Sequence, residues 1–288
     1  MTLPADQVPT GADDGQQAEA AASLPDLLAG SLALAIGGAN VIMQLSHLPV
    51  GRGVAESRVE SGRVDRHPLK RIRTTFTYIA VAAAGTDEER LALRAQVDRV
   101  HRQVRSRPED AVQYDAFDPE QQLWVAACLY RGVELAYTLL YGTPDEVTAE
   151  ALYRQSGRFG TTLQVPAWRW PPDRTAFEAY WRGGLESVEM DDVTRAYLRE
   201  LARLGFLPSL LRHTLGPPQQ FLTTGFLPEP FRSELGLPWD RRRQLAFELL
   251  TRAGASVVRR LPSPLRAFPF NYLLWDFRRR RGTGQPVI

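Results

Sequence analysis

Cysteine is almost missing from this chain of 288 residues: there is one, Cys128. A single thiol excludes an intrachain disulfide, a thiolate zinc cluster and the paired-cysteine attachment of a c-type haem. Cys128 falls in the apolar run 123–129 and reads as a core residue. Histidine is also scarce, and the four present (His47, His67, His101, His213) are too scattered for a local metal cluster. Charge of one sign is lacking as well. The formal net charge is +2, which implies no nucleic-acid partner. The chain carries no Walker loop, no Rossmann glycine fingerprint, no His-Glu-x-x-His pair and no serine nucleophile elbow. Among its many carboxylates no pair stands out from the solvated helix faces.

Strand-like alternation is absent too, apart from an ambiguous piece at 161–165. What is present is helical periodicity nearly everywhere from Leu24 onward, with 44% apolar residues, enough for a large core. Residues 1–23 are rich in Ala, Gln, Asp and Gly and read as a disordered leader. The N-terminus is acidic, without the basic start of a secretory signal, so a cytoplasmic location is expected. Residues 27–43 are mostly apolar and uncharged, long enough for a membrane span. Gly30, Gly37, Gly38, Asn40 and Gln44 in or beside that stretch favour a buried helix, so no stable span is expected. The basic run 278–281 could touch an acidic surface or form a solvated tail, and residues 280–288 are read as a flexible basic end.

Helix punctuation divides the remainder. Thr86 and Glu89 make a capping box after Gly85. Asp118, Pro119 and Gln121 open a helix that Gly142 closes, and Thr143, Pro144 and Glu146 open the next. Further helices are expected at 173–182, 191–204 and 240–253, the last two ended by Gly205 and Gly254. Between them lie proline-rich linkers at 166–172, 216–218 and 228–238. No repeat and no long flexible linker divides the chain. The expectation is one all-α domain over residues 24–279.

Within this pattern His101 is anomalous. Leu93, Val97, Val100 and Val104 recur at helical spacing over 91–105, and His101 sits on the same stripe. A buried neutral imidazole needs a partner for its lone pair, and a metal, as with haem iron in a helical pocket, is one; the plain alternative is a core histidine hydrogen-bonded to a carbonyl. A second stripe, Arg71, Thr75, Tyr78, Ile79 and Ala82, sets a guanidinium and a hydroxyl at the head of an inward face. They point either into a pocket or into solvent at the first turn. Gln44 and His47 end the uncharged helix, either capping it or lining a cavity. The aromatic cluster 168–172 could stack on a ligand or pack as a loop.

These residues form an ordered series: Gln44-Leu-Ser-His47-x-Pro49, His67-Pro68-Leu-x-Arg71-x-x-x-Thr75 with Tyr78, His101-x-x-Val104, Tyr114-x-Ala116-x-Asp118-Pro119-Glu120, Leu123-Trp124-Val125, Gly225-x-Leu227-Pro228-x-x-x-Arg232 and Leu261-Pro262-x-Pro264-Leu265-Arg266. The series resembles the catalytic domain of the MpaB-type oxygenases and rubber oxygenases (latex-clearing proteins). The resemblance implies a helical, globin-like fold holding b-type haem non-covalently. It also implies an apolar, isoprenoid-like alkene substrate and dioxygen as co-substrate. His101 matches the family's proximal iron ligand. Arg71 and Thr75 match distal residues, with Arg71 expected to pair with a propionate or orient a distal ligand. The chain departs from the pattern at Thr74, where the rubber-cleaving branch has lysine, and at Ala126, where many members have histidine. A carboxylate base upstream of the arginine would be Glu56 or Glu60. These departures keep a non-enzymatic haem or apolar-ligand binder open beside the oxygenase, with a cofactor-free helical scaffold as a third possibility.

Overall fold

The structure, a computed structural model, describes residues 30–56 and 67–287. The expected leader at 1–23, the first residues of the expected domain and Glu60 lie outside them. The described chain is all-α. Its strand-like pairing is confined to one isolated bridge, Arg105 to Asp115, at the base of a hairpin loop, and the ambiguous piece at 161–165 is the end of a short helix and a turn.

Helix α1 (Gly30–Leu45) breaks at Ser46 and turns through 107° into α2 (Leu48–Ala55). Ile36, Ala39, Ile42 and Met43 of α1 are buried, as the buried-helix reading requires. α3 (Pro68–Ala84) and α4 (Asp87–His101) follow, joined by the expected Thr86–Glu89 capping box. α5 (Pro119–Tyr141) is the central helix. Asp118 caps it, Pro119 starts it, and Gly142 ends it at φ +88°. By length and composition α5 could cross a membrane, but it is a core helix here: Leu123, Trp124, Ala127, Cys128, Tyr130 and Leu140 are all buried. Trp124 stacks on Trp181 at 5.1 Å and donates to the Met43 carbonyl at 2.9 Å, fixing α5 to α1.

The second half comprises α6 (Glu146–Ser156), α7 (Arg158–Thr161), α8 (Arg174–Glu186), α9 (Asp192–Ala202), α10 (Ser209–Phe226), α11 (Glu229–Glu234), α12 (Arg241–Arg260), α13 (Ser263–Arg266) and α14 (Phe270–Gly282). Four expectations shift. The cap of α6 is Asp145, not Thr143, because its carboxylate reaches the Thr148 amide. Gly254 does not end α12, which runs to Arg260. Pro217 and Pro218 lie inside α10 instead of forming a linker. A proline interrupts a helix by leaving a carbonyl unbonded, and the preceding turns of α10 are exposed, so water can satisfy it. The 228–238 linker contains α11.

The basic end is docked rather than free. Arg278 pairs with Glu89 at 2.7 Å, Arg281 pairs with Glu88, and the Val287 side chain is buried. The acidic surface that the arginine run touches is the first turn of α4 in the same molecule. α14 also packs along α3, where Phe270 stacks on Phe76 at 5.1 Å.

Candidate functional site

Helices α1 to α5 surround a cavity of about 300 Å³. Its walls are mostly apolar: Val50 and Val54 from α2, Ile79 from α3, Val97 and Val100 from α4, Val125 and Leu129 from α5. Gly53 also lines it, and a β-carbon there would press on the Tyr114 ring at 3.2 Å, so the glycine lets α2 approach the hairpin loop.

Both sequence stripes face this space. Arg71, Thr75, Tyr78 and Ile79 line it from α3, as the spacing predicts, together with Lys70 and Thr74. Ala82 belongs to the buried packing beyond. His101 lines it from the last turn of α4, with Val97 and Val100. The helix ends at His101, so Val104 reaches the same wall from the following turn and not from helix. The apolar stripe of α4 therefore covers a cavity, while Leu93 alone enters the core.

Burial first, and the nearby Arg71 cation second, lower the His101 imidazole from its ordinary 6.5 to about 4, against the opposing pull of Asp98 and Asp115. The ring is therefore neutral at physiological pH. Its Nδ1 is buried without a hydrogen-bond partner, and Phe117 meets the ring edge-on at 6.1 Å. A plain core histidine would be paired. His101 is not tied to a backbone carbonyl or carboxylate through Nδ1, as a ligand histidine commonly is. What holds its helix is a relay of amides. The Gln164 side chain donates to Asp98 Oδ1, one turn before His101, and the Gln164 backbone N–H donates to Gln122 Oε1 at 2.8 Å. Gln122 in turn donates to the Ala116 carbonyl at 2.6 Å and to Gln164 Oε1. This relay carries no signal in spacing, because its members come from α4, α5 and the loop after α7.

Arg71 is held near Tyr197, and burial lowers its guanidinium from the ordinary value. Among the described residues no carboxylate pairs with it. The Tyr78 hydroxyl is committed to the Phe159 carbonyl, and burial pushes that phenol upward. Thr74 Oγ1 donates to the Arg71 carbonyl at 3.0 Å, so this hydroxyl turns back to its own helix.

The remaining candidates separate. Gln44 lines the cavity and donates to Asn40 Oδ1 at 2.7 Å. His47 takes the N-cap position of α2 without a side-chain cap bond and stands outside the lining. His67 precedes α3 in an exposed position, and His213 is exposed and bonded to Ser209. Ala126 does not face the cavity. It is fully buried against Ala82, Ala83 and Phe159, about a quarter-turn around α5 from Val125. Glu56 is exposed and paired with Arg52, which also binds Asp191 at 2.6 Å. In the aromatic loop Trp170 packs against Tyr130, Tyr153 and Phe177, away from the cavity, while Trp168 is exposed. Among the described residues no group of three or more His, Cys, Asp or Glu could hold a bare metal ion.

A family model described as "ER-bound oxygenase mpaB/B'/Rubber oxygenase, catalytic domain" matches residues 27–259. The chain is 47% identical over 250 residues to the uncharacterized protein Rv2237 of Mycobacterium tuberculosis, covering 87% of this chain and 98% of that one. The same figures hold for the uncharacterized protein Mb2261 of Mycobacterium bovis. No solved structure matches.

Proposed function

Since the chain belongs to the MpaB/rubber oxygenase catalytic-domain family, we propose that it is a b-type haem-dependent oxygenase acting with dioxygen on a hydrophobic, alkene-containing small molecule. The observation that carries this is His101: a neutral imidazole with an orphaned nitrogen, set in the wall of an apolar cavity beside a buried guanidinium. One histidine cannot hold a bare ion, but it would suffice for an iron whose remaining protein-independent ligands come from a macrocycle.

The residues present fit such a group. His101 would ligate the iron, and its low proton affinity keeps the lone pair available through neutral pH. Arg71 would neutralise a carboxylate of the group; a buried charge-assisted contact of this kind is worth about 1.5–3 kcal/mol. When bound, haem supplies the activation of dioxygen. The Thr75 hydroxyl can hydrogen-bond a polar atom at the reacting end. The valine and leucine walls bind the apolar chain and exclude water. Tyr78 is no proton donor here, because its hydroxyl already serves Phe159.

The test is an absorption titration with hemin of the parent and of His101→Ala. A Soret band in the parent that is lost or shifted in the variant supports the ligand role. An unchanged spectrum at full occupancy would sink it, and no band in the parent would remove haem altogether. A second reading, a haem or apolar-ligand binder without turnover, is favoured by Thr74, whose hydroxyl is spent on its own helix where a lysine would reach the cavity. Dioxygen consumption by haem-loaded protein with a polyisoprenoid alkene separates the two.

A further inference from the structure

The surface that follows α12 is unusual. Phe268, Tyr272 and Trp275 are 57%, 50% and 56% exposed, and Leu265 beside them is 63% exposed. Scattered exposed apolar residues are ordinary, but these are joined. The Phe268 and Tyr272 rings lie 6.4 Å apart, those of Tyr272 and Trp275 5.7 Å apart, and the Arg279 guanidinium sits 5.5 Å over the Trp275 ring. The spacing 268, 272, 275, 279 is one face of α14 and its lead-in. The opposite face is firmly packed, with Phe270, Leu273 and Phe277 buried. The outward ladder is therefore not a loosely folded segment.

Its charge is one-sided. From residue 249 to residue 275 there is no Asp or Glu, against four arginines. Among the described residues Arg260 and Arg266 have no carboxylate partner. The first acid, Asp276, is buried and shared by Arg73, Arg279 and Arg280. On the packed face Phe270 stacks on Phe76 of α3, one turn beyond the exposed Ile72. The next positions on that helix, Lys70 and Arg71, line the cavity.

We propose that the face formed by Leu265, Phe268, Tyr272 and Trp275 seats the protein on an anionic lipid surface. Tyrosine and tryptophan combine an apolar body with a polar edge and favour the headgroup boundary, while arginines at the rim meet lipid phosphates. A second copy of the chain fits less well, because a two-fold contact would bring the same arginine rims together. The placement is peripheral and does not depend on haem.

The experiment is sedimentation of the full chain with phosphatidylcholine vesicles, with and without phosphatidylglycerol. The parent should bind the phosphatidylglycerol vesicles more strongly, and less so as salt rises. Phe268→Ser/Tyr272→Ser/Trp275→Ser should weaken binding on the order of tenfold or more, and Arg266→Glu should reduce the preference for the anionic vesicles. Should the triple variant fail to fold, Trp275→Phe keeps a ring in place. Quenching of tryptophan fluorescence by brominated lipid should then fall relative to the parent. Absence of binding to either vesicle would overturn the proposal. So would binding that the variants retain, or a triple variant that loses self-association and keeps its vesicle affinity.

Discussion

Acid should destabilise this protein through His101 in a defined window. The imidazole takes a proton near pH 6.5 when unfolded but only near pH 4 in the fold. The unfolded state therefore binds more protons between those values, and stability falls as pH drops through them. Above pH 6.5 neither state carries the proton and no penalty exists. By pH 4.5 the penalty amounts to roughly 2.5 kcal/mol, a large part of a typical domain's stability. The comparison that isolates it is His101→Gln, which keeps a polar side chain without titration. Urea unfolding of hemin-free parent and variant, followed by fluorescence at about pH 7 and about pH 4.5, gives four stabilities. The parent should lose roughly 2.5 kcal/mol more than the variant on acidification. Equal losses would refute the claim that burial beside Arg71 holds this ring neutral.

Two further outcomes are expected. Gln164→Leu removes the amide between Asp98 and Gln122 and leaves both short of a partner. Thermal or urea unfolding should show a loss of about 1–3 kcal/mol, and the hemin titration should weaken as the last turn of α4 loosens. Asp276→Asn takes one carboxylate from three arginines and should cost about 3–5 kcal/mol by urea unfolding. In the parent that carboxyl is held at about 2, below its ordinary 3.8, so its contribution is present above pH 3.8 and fades as pH falls towards 2.

Much of the fold was legible because its signals are local. Asp118 followed by proline, and Thr86 followed three residues on by Glu89, declare their helices in a few positions. Gly254 misled because an exposed glycine costs a helix only about 1 kcal/mol, which the packing of Ala255 and Val258 offsets. Pro217 and Pro218 misled for a related reason: tertiary contacts on the far side of α10 outweigh a local interruption. The candidate site was legible to the extent that it is periodic. Arg71, Thr75 and His101 lie on stripes, and the structure gathers all three around one cavity. That Ala126 lies off the cavity could not be read from the motif, since a departure from a motif does not say which side of a helix it occupies. Gln122, Gln164 and Asp98 had no signal, because their association is created only by folding.

The docking of the C-terminal arginines on α4 has a consequence for the order in which the molecule can be built. Glu89 and its partner Arg278 are 189 positions apart, and Gln96, which receives the Val287 amide at 3.0 Å, is 191 positions from it. A chain emerging from the ribosome makes the helix of His101 early, but its outer side gains these partners only after residues 278–287 have emerged. The helix that carries His101 is therefore braced late, by contacts 189 and 191 positions apart.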